Sequence, residues 1–489
     1  MGLHSLPPIA GREAELAALR RDGGPVFLPR TNRQLAAIDS AFACALHMHQ
    51  PTIPAGADGA LISHLQFMLE HPHEGDNHNA EPFLRCYGRM AELIPQLIAE
   101  GADPRVMLDF SGTLLWGLEQ MGRHHVLAGL RQLATDPDLQ PHVEWLGSFW
   151  GHAVAPSTPL ADLSLQILAW QHQFAALFGD AALARVRGFS LPEMHLPNHP
   201  DSLFALVHAL REAGYRWLLV QEHSVENPDG SPLRPEQTCL PQRLVARNSH
   251  GASASITALI KTQGSDTKLV GQMQPCAAAL GLGRQSLAGR SVPAIVTQIG
   301  DGENGGVMMN EFPAAFLEAH RRLAAGAGGG RRGTVAIHGS EYLELLEADG
   351  LGPEELAPIQ AVRQHRLWER LDGPVSPEAV AAVFAALQAE DPGFTLDGAS
   401  WTNHISWEEG YADVLDPMQE LSTRFHRQLD PLLARDATLT RREPYQRALL
   451  HLLLSQTSCF RYWGQGSWTG YAREIQRRGL AALDAFTGA

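Results

Sequence analysis

Lysine is almost missing from this chain of 489 residues. Lys261 and Lys268 are the only two, and arginine carries the rest of the positive charge. Cysteine is scarce as well. Cys44, Cys86, Cys239, Cys276 and Cys459 are odd in number and lack metal-type spacing, which excludes a disulfide framework and suits a reducing cytoplasm. No apolar run reaches the roughly 18–20 residues of a membrane helix, and the N-terminus shows no basic start followed by an apolar core, so no secretion signal is expected. Positive charge is short overall. A formal net charge of -15 repels phosphates and anionic lipid, so neither nucleic acid nor membrane is an expected partner. Neutral ligands such as sugars remain open.

What is present is ordinarily globular: 44% hydrophobic and 19% charged residues. The segment Ala41–Pro51 reads as a strand that ends in two histidines. With a side-chain period of two, Phe42, Cys44, Leu46 and Met48 share one face, and Ala43, Ala45, His47 and His49 share the other. Pro51 stops the strand. Further strands are expected from Arg105, Val143, Val186, Arg216, Val292 and Thr334, mostly with helical patterns between them. Such alternation at this length predicts an α/β fold whose parallel strands close into a barrel. Residues 1–38 are expected to form a lead-in, 39–350 the barrel with an inserted region at about 241–290, and 351–489 a C-terminal α-helical domain packed on it.

In such barrels the site lies at the carboxyl ends of the strands. His49, His152, Glu193, His223 and Asp301 each stand at such an end. Glu193 lies between two prolines; Asp301 and Glu303 lie among glycines. Two carboxyl groups facing across a cleft suit glycosidic bond cleavage, one attacking or activating water and the other protonating the departing oxygen. His-x-His at the end of a first strand also suits a metal-dependent hydrolase or deacetylase using His47 and His49, and spacing alone does not choose between metal and sugar. One form of that rival places a modified lysine in the barrel. Both lysines here fall in the inserted region, off any recognisable barrel strand, which counts against that form.

Five segments in order give the chain a specific resemblance: His47-Met-His49-Gln-Pro, Ser148-Phe-Trp150-Gly-His152, Phe189-Ser-Leu-Pro-Glu193-Met, Asp301-Gly-Glu303-Asn-Gly-Gly, and Gln456 to Tyr462-Trp463-Gly464. They resemble glycoside hydrolase family 57, retaining enzymes of α-glucans, and the resemblance implies a distorted seven-stranded (β/α) barrel whose substrate cleft the C-terminal helical domain completes. The resemblance implies Glu193 as nucleophile and Asp301 as general acid/base. It implies His47, His49 and His152 as walls of the sugar site, with Trp150, His223, Glu303 and Trp463 as further substrate contacts, and no metal or cofactor. The implied partner is an α-glucan or maltooligosaccharide. The implied activity is amylase or 4-α-glucanotransferase action on α-1,4 bonds. Alternatives are α-glucan branching, the metal-dependent hydrolase, and an inactive glycan-binding protein; oligomeric state is not readable. The departures lie in the bare Asn304-Gly305-Gly306 turn, in Ser458-Cys459-Phe460 where Ser-Asp-Trp is common, and in Glu222 before His223 where aspartate is common.

Overall fold

The computed structural model describes residues 6–21, 23–262, 270–303, 311–326, 332–398, 412–462 and 466–487. Seven strands are each parallel to the next: β1 (Ile38–Met48), β2 (Val106–Phe110), β3 (Val143–Gly147), β4 (Gly188–Ser190), β5 (Trp217–Gln221), β6 (Ser253–Lys261) and β7 (Ala294–Asp301). The ring closes where β7 pairs β1 from Ser40↔Ala294 to His47↔Asp301, and where it meets β6 at Lys261↔Thr297. The expected barrel is present, with a change in its membership. Ser253–Lys261, read as part of an insertion, is its sixth strand, paired in parallel with Trp217–Gln221. The expected last strand, Gly333–Ala336, instead lies beside the first half of β1, outside the ring.

The alternation read in β1 is observed. Phe42, Cys44, Leu46 and Met48 belong to the large apolar layer shared with the surrounding helices. Ala41, Ala43 and Ala45 face the barrel interior with Met107, Leu146, Leu219 and Leu259. Inside the ring, Trp217 at the start of β5 lays its indole over Gly188. A Cβ there would lie 2.2 Å from the ring, so the glycine is a packing requirement. The helix Gly339–Ala348 plugs the amino-terminal end of the ring. Tyr342 donates its hydroxyl to the Pro293 carbonyl at 2.6 Å, and the indole N–H of Trp217 donates to Ser340 Oγ at 2.9 Å.

After the barrel, Pro358–Ala361 is a strand, not the start of a helical region. It pairs with Gln242–Arg247, the antiparallel neighbour of β6. Helices follow: Pro377–Glu390, Ala412–Leu433, Glu443–Ser455, the single turn Cys459–Tyr462, and Ser467–Thr487. Ser467–Thr487 packs against both Ala412–Leu433 and Glu443–Ser455. Among the described residues no helix is long and apolar enough to cross a membrane.

Candidate active site

At the carboxyl ends of the strands, three imidazoles form one cluster. His47 ends the inner face of β1, and its register partners on the two flanking strands are Asp109 and Asp301. His49 follows in the turn. His152 comes from the loop after β3 and lies flat on His49, ring centroids 3.7 Å apart and 8° from parallel. Every ring nitrogen has a protein partner. His47 Nδ1 meets Asp109 Oδ2 at 2.9 Å, and its Nε2 meets His152 Nε2 at 2.8 Å. His152 Nδ1 meets Ser458 Oγ at 2.7 Å. His49 Nδ1 meets Ser111 Oγ at 2.8 Å, and its Nε2 lies 3.4 Å from Cys459 Sγ. A sugar hydroxyl or a metal ion that uses these nitrogens must displace one of those bonds. Among the described residues, no group of three or more His, Cys, Asp and Glu side chains is arranged to hold a metal ion.

Glu193 stands in the turn Pro192–Met194, two residues beyond β4. Its φ is +58°, Met194 has +51°, and His152 has +56°. Side chains other than glycine occupy this left-handed region at a cost of about 1–2 kcal/mol each. The strain brings the Glu193 carboxylate to within 3.9 Å of His152 Nδ1. Glu303 accepts the backbone N–H of His49 at 2.8 Å, while its other carboxylate oxygen is buried with no hydrogen-bond partner among the described residues.

The charges follow from burial and company. Burial acts to lower the His47 pKa, but the charge and hydrogen bond of Asp109, with Asp301 and Glu303 beyond, outweigh it and lift the ring to about 10. Burial drives His49 and His152 the other way, well below the ordinary imidazole value, and the neighbouring His47 cation adds to this. Burial, and then Asp301, push the Glu303 carboxyl up to about 8. Lys261 ends β6, buried, with Gln221 and Thr297 as register partners; burial lowers its ammonium to about 8 against the pull of Asp301. Contrary to expectation, one of the two lysines therefore does end a barrel strand, so lysine placement does not count against a metal-dependent barrel.

The expected site residues thus divide. His47, His49, His152, Glu193, Asp301 and Glu303 meet at one end of the ring. His223 lies at the same end, in the turn Glu222–Ser224 after β5. Trp150 is a correction: it is fully buried, its N–H bound to Gln173, its ring against Gly112 and Trp116, so it packs behind the site and offers no face to a ligand. Trp463, Trp401, Trp407 and the Asn304-Gly305-Gly306 turn lie outside the described residues. Sequence reasoning missed Asp109, although the period that placed His47 inward also places Asp109 inward from Met107. It quoted Ser458 and Cys459 without giving them a place beside His152 and His49.

Seven parallel strands closed on themselves, one fewer than the commoner eight, define the class of fold. The sequence profile of glycosyl hydrolase family 57 matches residues 43–250. The match holds His47, His49, His152, Glu193 and His223 and ends before Asp301. No curated protein matches by sequence. Among solved structures, a 4-α-glucanotransferase from Thermococcus litoralis is 15% identical with a TM-score of 0.54, over 90% of this chain and 60% of that one. An exo-type maltose-forming amylase from Pyrococcus sp. ST04 is 12% identical at 0.52, over 91% and 72%. An α-amylase from Thermotoga maritima is 11% identical at 0.52, over 92% and 94%. These likenesses are likenesses of fold, and the chain spans 60% of the length of the Thermococcus enzyme.

Proposed function

We propose that this chain is a retaining α-glucan enzyme that cleaves α-1,4 bonds by amylase or 4-α-glucanotransferase action. The observation that carries the reading is Glu193, held in a strained turn at the barrel mouth with its carboxylate against the histidine cluster that also borders the end of β7. In the first step the Glu193 carboxylate attacks the anomeric carbon. The glycosidic C–O bond breaks, and Asp301 gives its proton to the departing oxygen. In the second step Asp301, now a carboxylate, takes a proton from water or a sugar hydroxyl as that oxygen displaces Glu193. Water gives hydrolysis; a sugar hydroxyl gives transfer. The residues for these steps need no metal, and the five unpaired cysteines favour a cytoplasmic setting.

The test is turnover of maltooligosaccharides and amylose by Glu193→Gln and Asp301→Asn. Asp301→Asn lowers turnover about 10²–10⁴-fold, the range for loss of a general acid, and Glu193→Gln lowers it at least as far. Wild-type activity in either variant refutes the mechanism. Products from a panel of α-glucans separate hydrolysis, disproportionation and branching. Stoichiometric zinc with chelator-sensitive turnover would select the metal-dependent hydrolase instead.

A further inference from the structure

We propose that Asp109 is a positioning residue for the nucleophile: by keeping His47 doubly protonated it places the proton of His152 on Nδ1, the nitrogen that faces Glu193. The inference rests on the reading of Glu193 as nucleophile. Asp109 is fully buried, and its Oδ2 accepts the Nδ1 proton of His47 at 2.9 Å. The contact between the Nε2 atoms of His47 and His152 is 2.8 Å, so one of the two must carry a proton there.

Two arrangements satisfy that contact. If His47 is a cation, its Nε2–H donates, His152 Nε2 accepts, and the His152 proton resides on Nδ1. If His47 is neutral, its single proton stays with Asp109, His152 must donate from Nε2, and its Nδ1 presents a lone pair. That nitrogen lies 2.7 Å from Ser458 Oγ and 3.9 Å from Glu193 Oε1. Ser458 does not decide between the two, because a hydroxyl both donates and accepts. Glu193 does: an N–H beside its carboxylate favours the ionised nucleophile, and a lone pair opposes it.

The groups facing His47 favour the cation. They are Asp109 from β2, Asp301 and Glu303 from the end of β7, His49 from its own segment and His152 from the loop after β3. Asp109 is the carboxylate bonded directly to the ring, and burial opposes protonation of the two neighbouring imidazoles. One buried carboxylate, two hydrogen bonds removed from His152, thus sets which tautomer His152 presents to the nucleophile 3.9 Å away.

The experiment is Asp109→Asn in the full chain, assayed against pH on an activated aryl maltooligosaccharide. Expected is a fall in kcat of up to about 10⁴-fold, as when an orienting carboxylate is lost and the wrong tautomer results. KM changes little, the acidic limb of kcat/KM rises by about one pH unit, and Asp109→Glu restores part of the rate. A wild-type acidic limb in Asp109→Asn overturns the proposal. A second measurement needs no altered Asp109: 15N-histidine NMR of the wild-type chain at pH 8, with His47 assigned by its loss in His47→Gln. Two protonated nitrogens on His47 and a proton on His152 Nδ1 support the proposal, and a neutral His47 overturns it. If Glu193→Gln keeps its activity, the nucleophile reading fails, while the NMR result still decides the charge of His47.

Discussion

Glu144 sits on the inner face of β3, 1% exposed, at the end of the barrel opposite the site. Ser340 donates its backbone N–H to one carboxylate oxygen at 3.2 Å and its hydroxyl to the other at 2.5 Å. Burial nevertheless pushes the carboxyl from 4.5 up to about 8, the Ser340 bonds pulling back and Glu344 and Glu341 adding repulsion. Between those two values the folded chain holds a proton that the unfolded chain has released. Stability therefore falls as pH rises through the window, by up to about 1.4 kcal/mol per pH unit. Glu144→Gln keeps the shape and removes the titration. From pH 5 to pH 8 the variant gains on the wild type by about 3–4 kcal/mol, an upper bound from that slope. The amide cannot serve both Ser340 donors with carboxylate oxygens, which adds a pH-independent cost of about 1–3 kcal/mol. The slope of the difference carries the prediction, not its value at one pH. Urea unfolding of both proteins by tryptophan fluorescence at pH 5, 6, 7 and 8 measures it, and a difference that is flat with pH or of opposite slope refutes the reasoning.

Gly112→Ala would put a Cβ 2.1 Å from the Trp150 ring, so the indole must shift; a loss of about 1–3 kcal/mol is expected in thermal unfolding. Turnover should fall with it, since Trp150 leads directly into His152. Asp162 is fully buried and accepts from His426 Nε2 and Gln456 Nε2, both at 2.6 Å, tying Ala412–Leu433 to the segment before Ser458. Burial lowers the His426 pKa, but hydrogen bonds to Asp162 and Asp430 raise it more. Its contribution is complete below the unfolded value of about 6.5 and lost as pH rises through the folded one. Asp162→Asn should lower stability at pH 6 more than at pH 9, as read by differential scanning calorimetry, and an equal loss at both would contradict the pairing.

Much of the barrel was legible because period-two alternation is a local property. It placed Ala43, Ala45 and His47 inward and Phe42, Cys44 and Leu46 outward, as found. β6 was missed for a topological reason. Gln242–Arg247 precedes it as an antiparallel partner with no helix between, so the strand–helix rhythm breaks where the ring continues. Gly333–Ala336 misled in the opposite way: it has the composition of a barrel strand and runs parallel to β1, but outside the ring. In the site, the residues near motif glycines and prolines stood out. Asp109 and Ser458 did not, since their partners lie 62 and 306 residues away and no spacing rule reaches that far. Trp150 misled because an aromatic residue beside a motif looks like a sugar platform. What decides its role is Gly112 beneath the ring and Gln173 on its N–H, both distant in sequence.

The hydrogen bond from His152 to Ser458 has a consequence in time. Synthesis proceeds from the N-terminus, so all seven strands and both proposed catalytic carboxylates have been made well before Ser458 and Cys459. Until that late segment docks, His152 Nδ1 lacks its hydroxyl and His49 lacks its thiol neighbour. A nascent chain can contain all seven strand segments and still lack the side chains that meet His152 Nδ1 and His49 Nε2.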